Sequence, residues 1–274
     1  MNEELSKPFP LIDSHAHLEL EPLVNDTHNV VDRARKAGLV AIITVGIDIE
    51  DSRKAIEISH EFDDVFVSIG FHPHNAQFAG DKDLQTIEDM AVDPKVVGYG
   101  EIGLDFFRNR SPKDVQIRIF DEQIKIAQKL NKPVVIHLRD AYNEGLTMLE
   151  KAAPFPDSGV IHCFSGTQED AERALRLGFY ISIPGTVTYK KNDQLRSIVS
   201  KIPEDRILLE TDCPFLSPEP LRGKDNEPSF IVNTARKVSE ARGITLEQTC
   251  QITTKNAIEL FELPPSVLNR AQRS

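Results

Sequence analysis

The feature that most restricts the fold of this chain is its rhythm. Short runs rich in β-branched residues alternate with longer amphipathic segments along most of its length, the signature of repeated βα units around a parallel sheet. Eight runs stand out, at positions 10–17, 40–46, 65–70, 96–100, 134–138, 159–163, 179–183 and 207–211. Their starts lie roughly 20 to 40 residues apart, the length of a strand, a helix and two loops. An open doubly wound sheet would show similar alternation, but it uses about five or six strands, and no G-x-G-x-x-G follows the first run. The expectation is an α/β chain folded as a single-domain (β/α)8 TIM barrel over positions 1–264, with 265–274 a frayed tail.

Helix punctuation agrees with this rhythm. Ser111-Pro112 followed by Asp114 predicts a cap and a proline-started helix. Gly38 and Gly178 follow helical patterns as C-terminal stops, and Thr167 with Asp170 and Thr245 with Gln248 are capping patterns. Segments 230–241 and 246–260 are predicted to be the helices that close the barrel.

The strand ends carry the chemistry. His15 and His17 end the first run, and residues two apart on a strand share a face. Glu101, His137, His162 and Asp212 end the fourth, fifth, sixth and eighth runs. In a TIM barrel the C-terminal strand ends meet at one mouth, so these residues become neighbours although they are far apart in sequence. Burying imidazoles and carboxylates together costs several kcal/mol of desolvation per charge unless a cation compensates, and this is the ligand set of a metal site at the mouth. His28 and His60 instead fall in predicted helices and read as surface residues.

Charge and composition narrow the classes further. A net charge of −11 argues against a broad basic surface coating nucleic acid, so a phosphate-bearing substrate must be attracted locally, by bound cations and a few arginines. The first ten residues lack the apolar core of a signal peptide, and no run approaches the roughly 18 apolar residues of a membrane span. Three cysteines without C-x-x-C spacing suit free thiols, so the expected setting is cytoplasmic, with no membrane and no obligate protein partner.

Taken in order, S-H-A-H-L, G-x-H-P-H, G-E-I-G-L-D, I-H-x-R-D-A, H-C-F-S-G and L-E-T-D-C-P-F-L-S-P-E-P-x-R-G-K-x-N-E-P resemble the TatD family of metal-dependent deoxyribonucleases, from about position 9 to about position 260. The resemblance implies two divalent cations, with zinc, manganese and magnesium as candidates. His15, His17 and Asp212 would serve one, His137 and His162 the other, and Glu101 would bridge them. It further implies hydrolysis of nucleic acid phosphodiesters at single-stranded ends, DNA rather than RNA. A metal-made hydroxide would be the nucleophile, and Asp212 would be both ligand and proton acceptor. His72 and Arg222 are the expected substrate contacts, with His74, Arg139 and Lys224 nearby. Cys163, adjacent to His162, is expected to face away from the site and pack. Phe106 and Phe107 stand where the family more usually has tyrosines.

Two other readings remain at this level. The same cations could serve a carboxylic ester or amide, such as an aminoacyl-tRNA ester, although related barrels often place a carboxylated lysine where Glu101 stands. A non-catalytic metal-binding barrel is the third, and the complete ligand set speaks against it. Replacing His28 or His60 with alanine should leave turnover unchanged. A large loss in either variant, with a native circular dichroism spectrum, would show that the strand-end assignment is wrong.

Overall fold

A computed structural model of the chain describes residues 9–155 and 158–272. Its strands are β1 (Leu11–Ala16), β2 (Leu39–Gly46), β3 (Val65–Ile69), β4 (Val96–Asp105), β5 (Val134–Arg139), β6 (Gly159–Ile161), β7 (Tyr180–Ile183) and β8 (Ile207–Leu209). All pair in parallel and in chain order within one 8-stranded sheet. The sheet closes on itself where Ala16 bridges Cys213, the Asp212 amide donates to the His15 carbonyl at 2.9 Å and the His17 amide donates to that of Cys213 at 2.8 Å. The Asp13 carboxylate reinforces this seam by accepting from the Thr211 amide at 2.9 Å and the Thr211 hydroxyl at 2.6 Å.

Around the barrel run α1 (Thr27–Lys36), α2 (Ile49–Glu61), α3 (Asp81–Met90), α4 (Lys113–Leu130), α5 (Tyr142–Ala152), α6 (Gln168–Arg176), α7 (Asp193–Val199), α8 (Ile231–Arg242) and α9 (Leu246–Leu260). The molecule is thus the expected (β/α)8 barrel, and no helix among the described residues is long and apolar enough to cross a membrane. Thr167 and Thr245 form reciprocal capping boxes with Asp170 and Gln248. The cap expected at Ser111 is not formed. Pro112 takes the capping position, while the Ser111 hydroxyl accepts from the Gln77 amide and donates to the His74 carbonyl. That side chain ties the β3 loop down instead.

Two apolar layers hold the barrel. Outward-facing strand residues such as Val134, Ile136 and Leu138 pack against helical Ile119, Phe120, Ile124, Leu146 and Leu149. Inward-facing Ile12, Val40, Phe66, Val135, Val160, Tyr180 and Leu208 fill the N-terminal end of the barrel, where Leu260, Phe261, Leu263 and Val267 plug it from below. The segment expected to fray begins as a 3-10 helix over Pro265–Gln272 with Val267 buried in this plug, which gives it an anchor; positions 273 and 274 lie outside the described residues.

Simple alternation would turn the key side chains the wrong way. On β1, Ile12 faces inward, so unbroken alternation would send His15 outward. The register runs from Asp13 to Ala16 against Ile42 to Thr44 on β2, giving β1 one extra residue, and Ala16 consequently packs in the outer layer. The parity reversal turns His15 and His17 inward. On β4 the register runs from Tyr99 to Ile102 against Val134 to Ile136, again one residue longer, and Tyr99 and Ile102 both face outward with Glu101 turned in. Gly100 and Gly103, at φ 151° and 144°, make this possible, because an added Cβ would overlap the carbonyl oxygens of Val135 and His137.

The plug should be costly to weaken. Phe261 is 2 % exposed, and Phe261→Ala should lower the unfolding free energy by about 3–5 kcal/mol. Denaturant titration measures this directly, and a loss below about 1 kcal/mol would show that the barrel floor collapses to refill the space.

Candidate metal centre

The inward turn of β1 and β4 brings Glu101 among five imidazoles. Glu101 Oε2 lies 3.4 Å from His15 Nε2 and 3.9 Å from His17 Nε2. Its other oxygen, Oε1, lies 2.6 Å from His137 Nδ1, 3.1 Å from His162 Nε2 and 3.4 Å from His72 Nε2. Asp212 Oδ1 joins the first group, at 3.6 Å from His17 Nε2 and 3.9 Å from His15 Nε2. The rings of His17, His15, His162, His137, His72 and His74 form one continuous series of ring contacts across the mouth.

These donor sets fit divalent cations. Ligands about 2.1 Å from a tetrahedral ion sit roughly 3.4 Å from one another, and His15 Nε2 and His17 Nε2 are 3.3 Å apart. His15, His17 and Asp212 form one group whose donor atoms all lie within 4.8 Å of each other, and His72, Glu101 and His137 form a second. His137 is half-buried, yet both its ring nitrogens are buried and lack a hydrogen bond despite their short approaches to Glu101 and Asp105, as does His15 Nδ1. Buried ring nitrogens without a partner beside a carboxylate are groups that a bound cation would satisfy.

Outer contacts fix which nitrogen is available. His17 Nδ1 donates to the Val45 carbonyl at 2.9 Å and lies 3.1 Å from Glu19 Oε1, while Glu19 Oε2 accepts from Thr44 at 2.6 Å. His162 Nδ1 faces Glu210 Oε2 at 3.2 Å, and Glu210 Oε1 accepts from the Cys163 amide at 2.6 Å. In both rings the Nε2 lone pair is left for a cation. His72 has the opposite tautomer. Its Nδ1 accepts from the His74 amide at 3.1 Å, which leaves a neutral ring with its proton on Nε2, a donor. His74 Nε2 pairs with Asp105 at 2.9 Å.

The electrostatics favour a bound cation. Burial pushes the Glu101 carboxyl upward, but His162, His72 and His137 outweigh it and hold the group well below its usual range. Burial likewise raises Asp212, and the His17 hydrogen bond brings it below its usual value. Burial opposes protonation of His17 and His162, yet Asp212 with Glu19, and Glu210 with Glu101, carry both rings well above the usual histidine range. Burial lowers His15, with His162 adding to the effect, and lowers His72 to about 4. Anionic carboxylates therefore surround imidazoles that, lacking a cation, would themselves have to carry the positive charge.

Not every expected placement holds. Cys163 does not face away: β6 ends at Ile161, so strand alternation stops there, and Cys163 at φ 48° turns its sulfur to within 4.8 Å of His162 and Asp212 donor atoms. Burial, then the carboxylates of Asp212, Glu210 and Glu101, raise its pKa well above the usual thiol range, so it stays protonated. Arg222 lies over the Tyr189 ring at 4.4 Å and Arg139 over the Phe107 ring at 4.2 Å, and among the described residues neither forms an ion pair. His28 and His60 sit on α1 and α2, paired with Glu61 and Asp93. Sequence reasoning gave no role to Glu19, Asp105 or Glu210. The available signal was a carboxylate inside an apolar strand end: His15, His17 and Glu19 share one spacing of two, and Glu210 precedes Asp212 by the same step.

Comparison with known proteins places this arrangement. A family model described as TatD related DNase matches residues 12–262. The uncharacterized metal-dependent hydrolase YabD of Bacillus subtilis is 40 % identical over 253 residues, covering 92 % of this chain and 99 % of its own. The 3'-5' ssDNA/RNA exonuclease TatD of Rahnella is 38 % identical over 244 residues, covering 87 % and 93 %. The crystal structure of YjjV, a TatD homologue of Escherichia coli, superposes with a TM-score of 0.88 at 29 % identity, covering 93 % of this chain and 98 % of that one.

Glu210 orients His162 from behind, so Glu210→Gln should weaken cation affinity roughly 10- to 100-fold. Chelator competition on the purified protein measures it, and unchanged affinity would mean that the His162 ring is held by packing alone.

Proposed function

The chain belongs to the TatD related DNase family, and from that premise we propose that it is a two-metal hydrolase cleaving phosphodiester bonds at single-stranded nucleic acid ends, DNA in preference to RNA. The observation that carries this reading is the division of the Glu101 carboxylate, one oxygen toward His15 and His17, the other toward His137 and His162. A carboxylate can span two ions roughly 3.5 to 4 Å apart, the spacing of two-metal phosphoesterases, whereas a histidine cannot. His15, His17 and Asp212 would hold one cation and His137 and His162 the other. Bound there, the pair supplies a water made acidic near neutrality and neutralises charge on the phosphoryl oxygens.

The chain's own groups complete the chemistry. Asp212 is the more open of the carboxylates, its side chain 14 % exposed against 4 % for Glu101. With Oδ1 turned to His17, its Oδ2 takes the proton from the attacking water. His72, protonated on Nε2 by its tautomer, donates to a phosphate oxygen, and Arg222 offers a guanidinium fork at the rim. Cys163 and Ser165 are not needed as nucleophiles, and the Cys163 thiol, held protonated, is a poor one. The Rahnella relative, named as a 3'-5' exonuclease of single-stranded DNA and RNA, supports the reading of single-stranded nucleic acid ends as the substrate. Three free cysteines support a cytoplasmic setting.

The test is to strip the protein of metal, restore zinc, manganese or magnesium separately, and follow end-labelled single-stranded DNA, duplex DNA, RNA and a carboxylic ester. Metal-dependent shortening of single-stranded DNA, lost by at least about 100-fold in Glu101→Ala, is the expected result. Ester cleavage with every strand left intact would move the assignment to an amidohydrolase-type reaction. Wild-type activity in Glu101→Ala would end the two-metal reading.

A further inference from the structure

We propose that Phe107 and Phe215 are stacking platforms for the unpaired nucleobases on either side of the scissile phosphate, so that the barrel mouth selects single strands by the faces of their bases. The inference rests on the phosphodiesterase reading above and names how that same site recognises its substrate.

The distribution of exposed rings is the first observation. Among the described residues the exposed phenylalanines are Phe78, Phe107 and Phe215, at 68 %, 55 % and 51 % exposure, and all three lie in segments that follow the C-terminal ends of strands. Single exposed apolar residues are ordinary, so position has to carry the argument, and for two of the three it does. Phe215 comes three residues after the site residue Asp212 in the β8 loop. Its amide donates to the Asp212 carbonyl at 2.9 Å, and its ring sits edge-on to the His17 ring with centroids 6.1 Å apart. Phe107 comes two residues after Asp105 at the end of β4. The guanidinium of Arg139, two residues beyond His137, covers it at 4.2 Å, with Arg108 at 5.7 Å.

Topology sets the two rings on opposite rims. In an eight-stranded barrel paired in chain order, the β4/β5 edge is diametrically across from the β8/β1 seam. The candidate ligands lie between them. A phosphate held at those ligands therefore has one ring on each side, where its two neighbouring nucleotides must go.

The charges fit the same occupant. The chain holds 43 acidic and 32 basic residues, yet among the described residues Arg108 and Arg139 form no ion pair, leaving cationic groups on the Phe107 side of an otherwise acidic molecule. Ring faces for bases with guanidinium groups for the backbone are the combination that grips single strands, and it fails for a duplex, whose base faces are already covered by their neighbours. Both rings are exposed, so their removal costs little packing.

The experiment uses the metal-loaded enzyme, Phe107→Ala, Phe215→Ala and Phe215→Leu, on a single-stranded oligonucleotide and on versions with an abasic nucleotide immediately 5' or 3' of the bond cut. Each alanine variant should raise KM roughly 10- to 100-fold with kcat nearly unchanged, and leucine should not rescue Phe215 because it lacks a ring face. An abasic nucleotide should cost the wild type a similar factor but cost each variant nothing further at one of the two positions, a different one for each ring. Emission of 2-aminopurine placed at that position, between abasic neighbours, should be quenched on binding wild type and not the matching variant. Metal content should be equal in all four proteins. Wild type that cuts the normal strand but is indifferent to abasic neighbours would overturn this inference and leave the phosphodiesterase standing. Losses that multiply when variant and abasic substrate are combined would overturn it as well. Failure of the loaded wild type to cut any strand would overturn the function on which it rests.

Discussion

A buried carboxylate with two oxygens facing two different sets of imidazoles is the constraint around which this molecule is organised. A charge placed in that interior is costly unless it is balanced, and Glu101 is balanced on both sides at once. Much of the local structure is explained by the need to keep it there. The extra residue in β4 turns it inward, and Gly100 and Gly103 let the neighbouring strand approach closely enough to fix it. On the far side, Glu19 and Glu210 hold His17 and His162 by their other ring nitrogens, so the lone pairs that converge near Glu101 do not wander. The arrangement is a preorganised one, in which little has to move when a cation arrives.

How much of this was legible in the sequence depends on which physical rule carried each part. The barrel and its eight strands follow from local periodicity, and the ligands follow from residue type at strand ends, both of which a linear chain displays. Direction was harder. Reading His15 and His17 as sharing a face is correct, but which face they share is decided by a register shift against β2, a relation between distant segments that leaves no mark in the alternation of β1 itself. Cys163 shows the same limit from the other side, since strand alternation was extended past the point where β6 stops. Ser111 carries a sequence pattern of a helix cap and spends its hydroxyl on the loop of His74 instead. The supporting carboxylates Glu19, Asp105 and Glu210 went unread because a carboxylate near a ligand looks like an alternative ligand until the geometry shows which nitrogen it touches.

Histidine tautomers do quiet work in separating roles among chemically identical side chains. His17, His162 and His72 all border the same cluster, and two of them approach the same oxygen of Glu101. Backbone and carboxylate partners on Nδ1 make the first two acceptors at Nε2 and the third a donor there. A single amide, that of His74, therefore decides whether the ring beside it can offer a lone pair or a proton. An inventory of donor atoms by distance alone would assign His72 to the same task as its neighbours.

The apolar plug beneath the barrel has a consequence for molecular traffic. With inward-facing Ile12, Phe66, Val135 and Leu208 packed against Leu260, Phe261, Leu263 and Val267, the far end of the barrel is solid, and only the mouth at the C-terminal strand ends is left for a substrate. A polymer engaged at the mouth cannot thread through the protein as it would through a ring, so nothing topological tethers it between successive cuts.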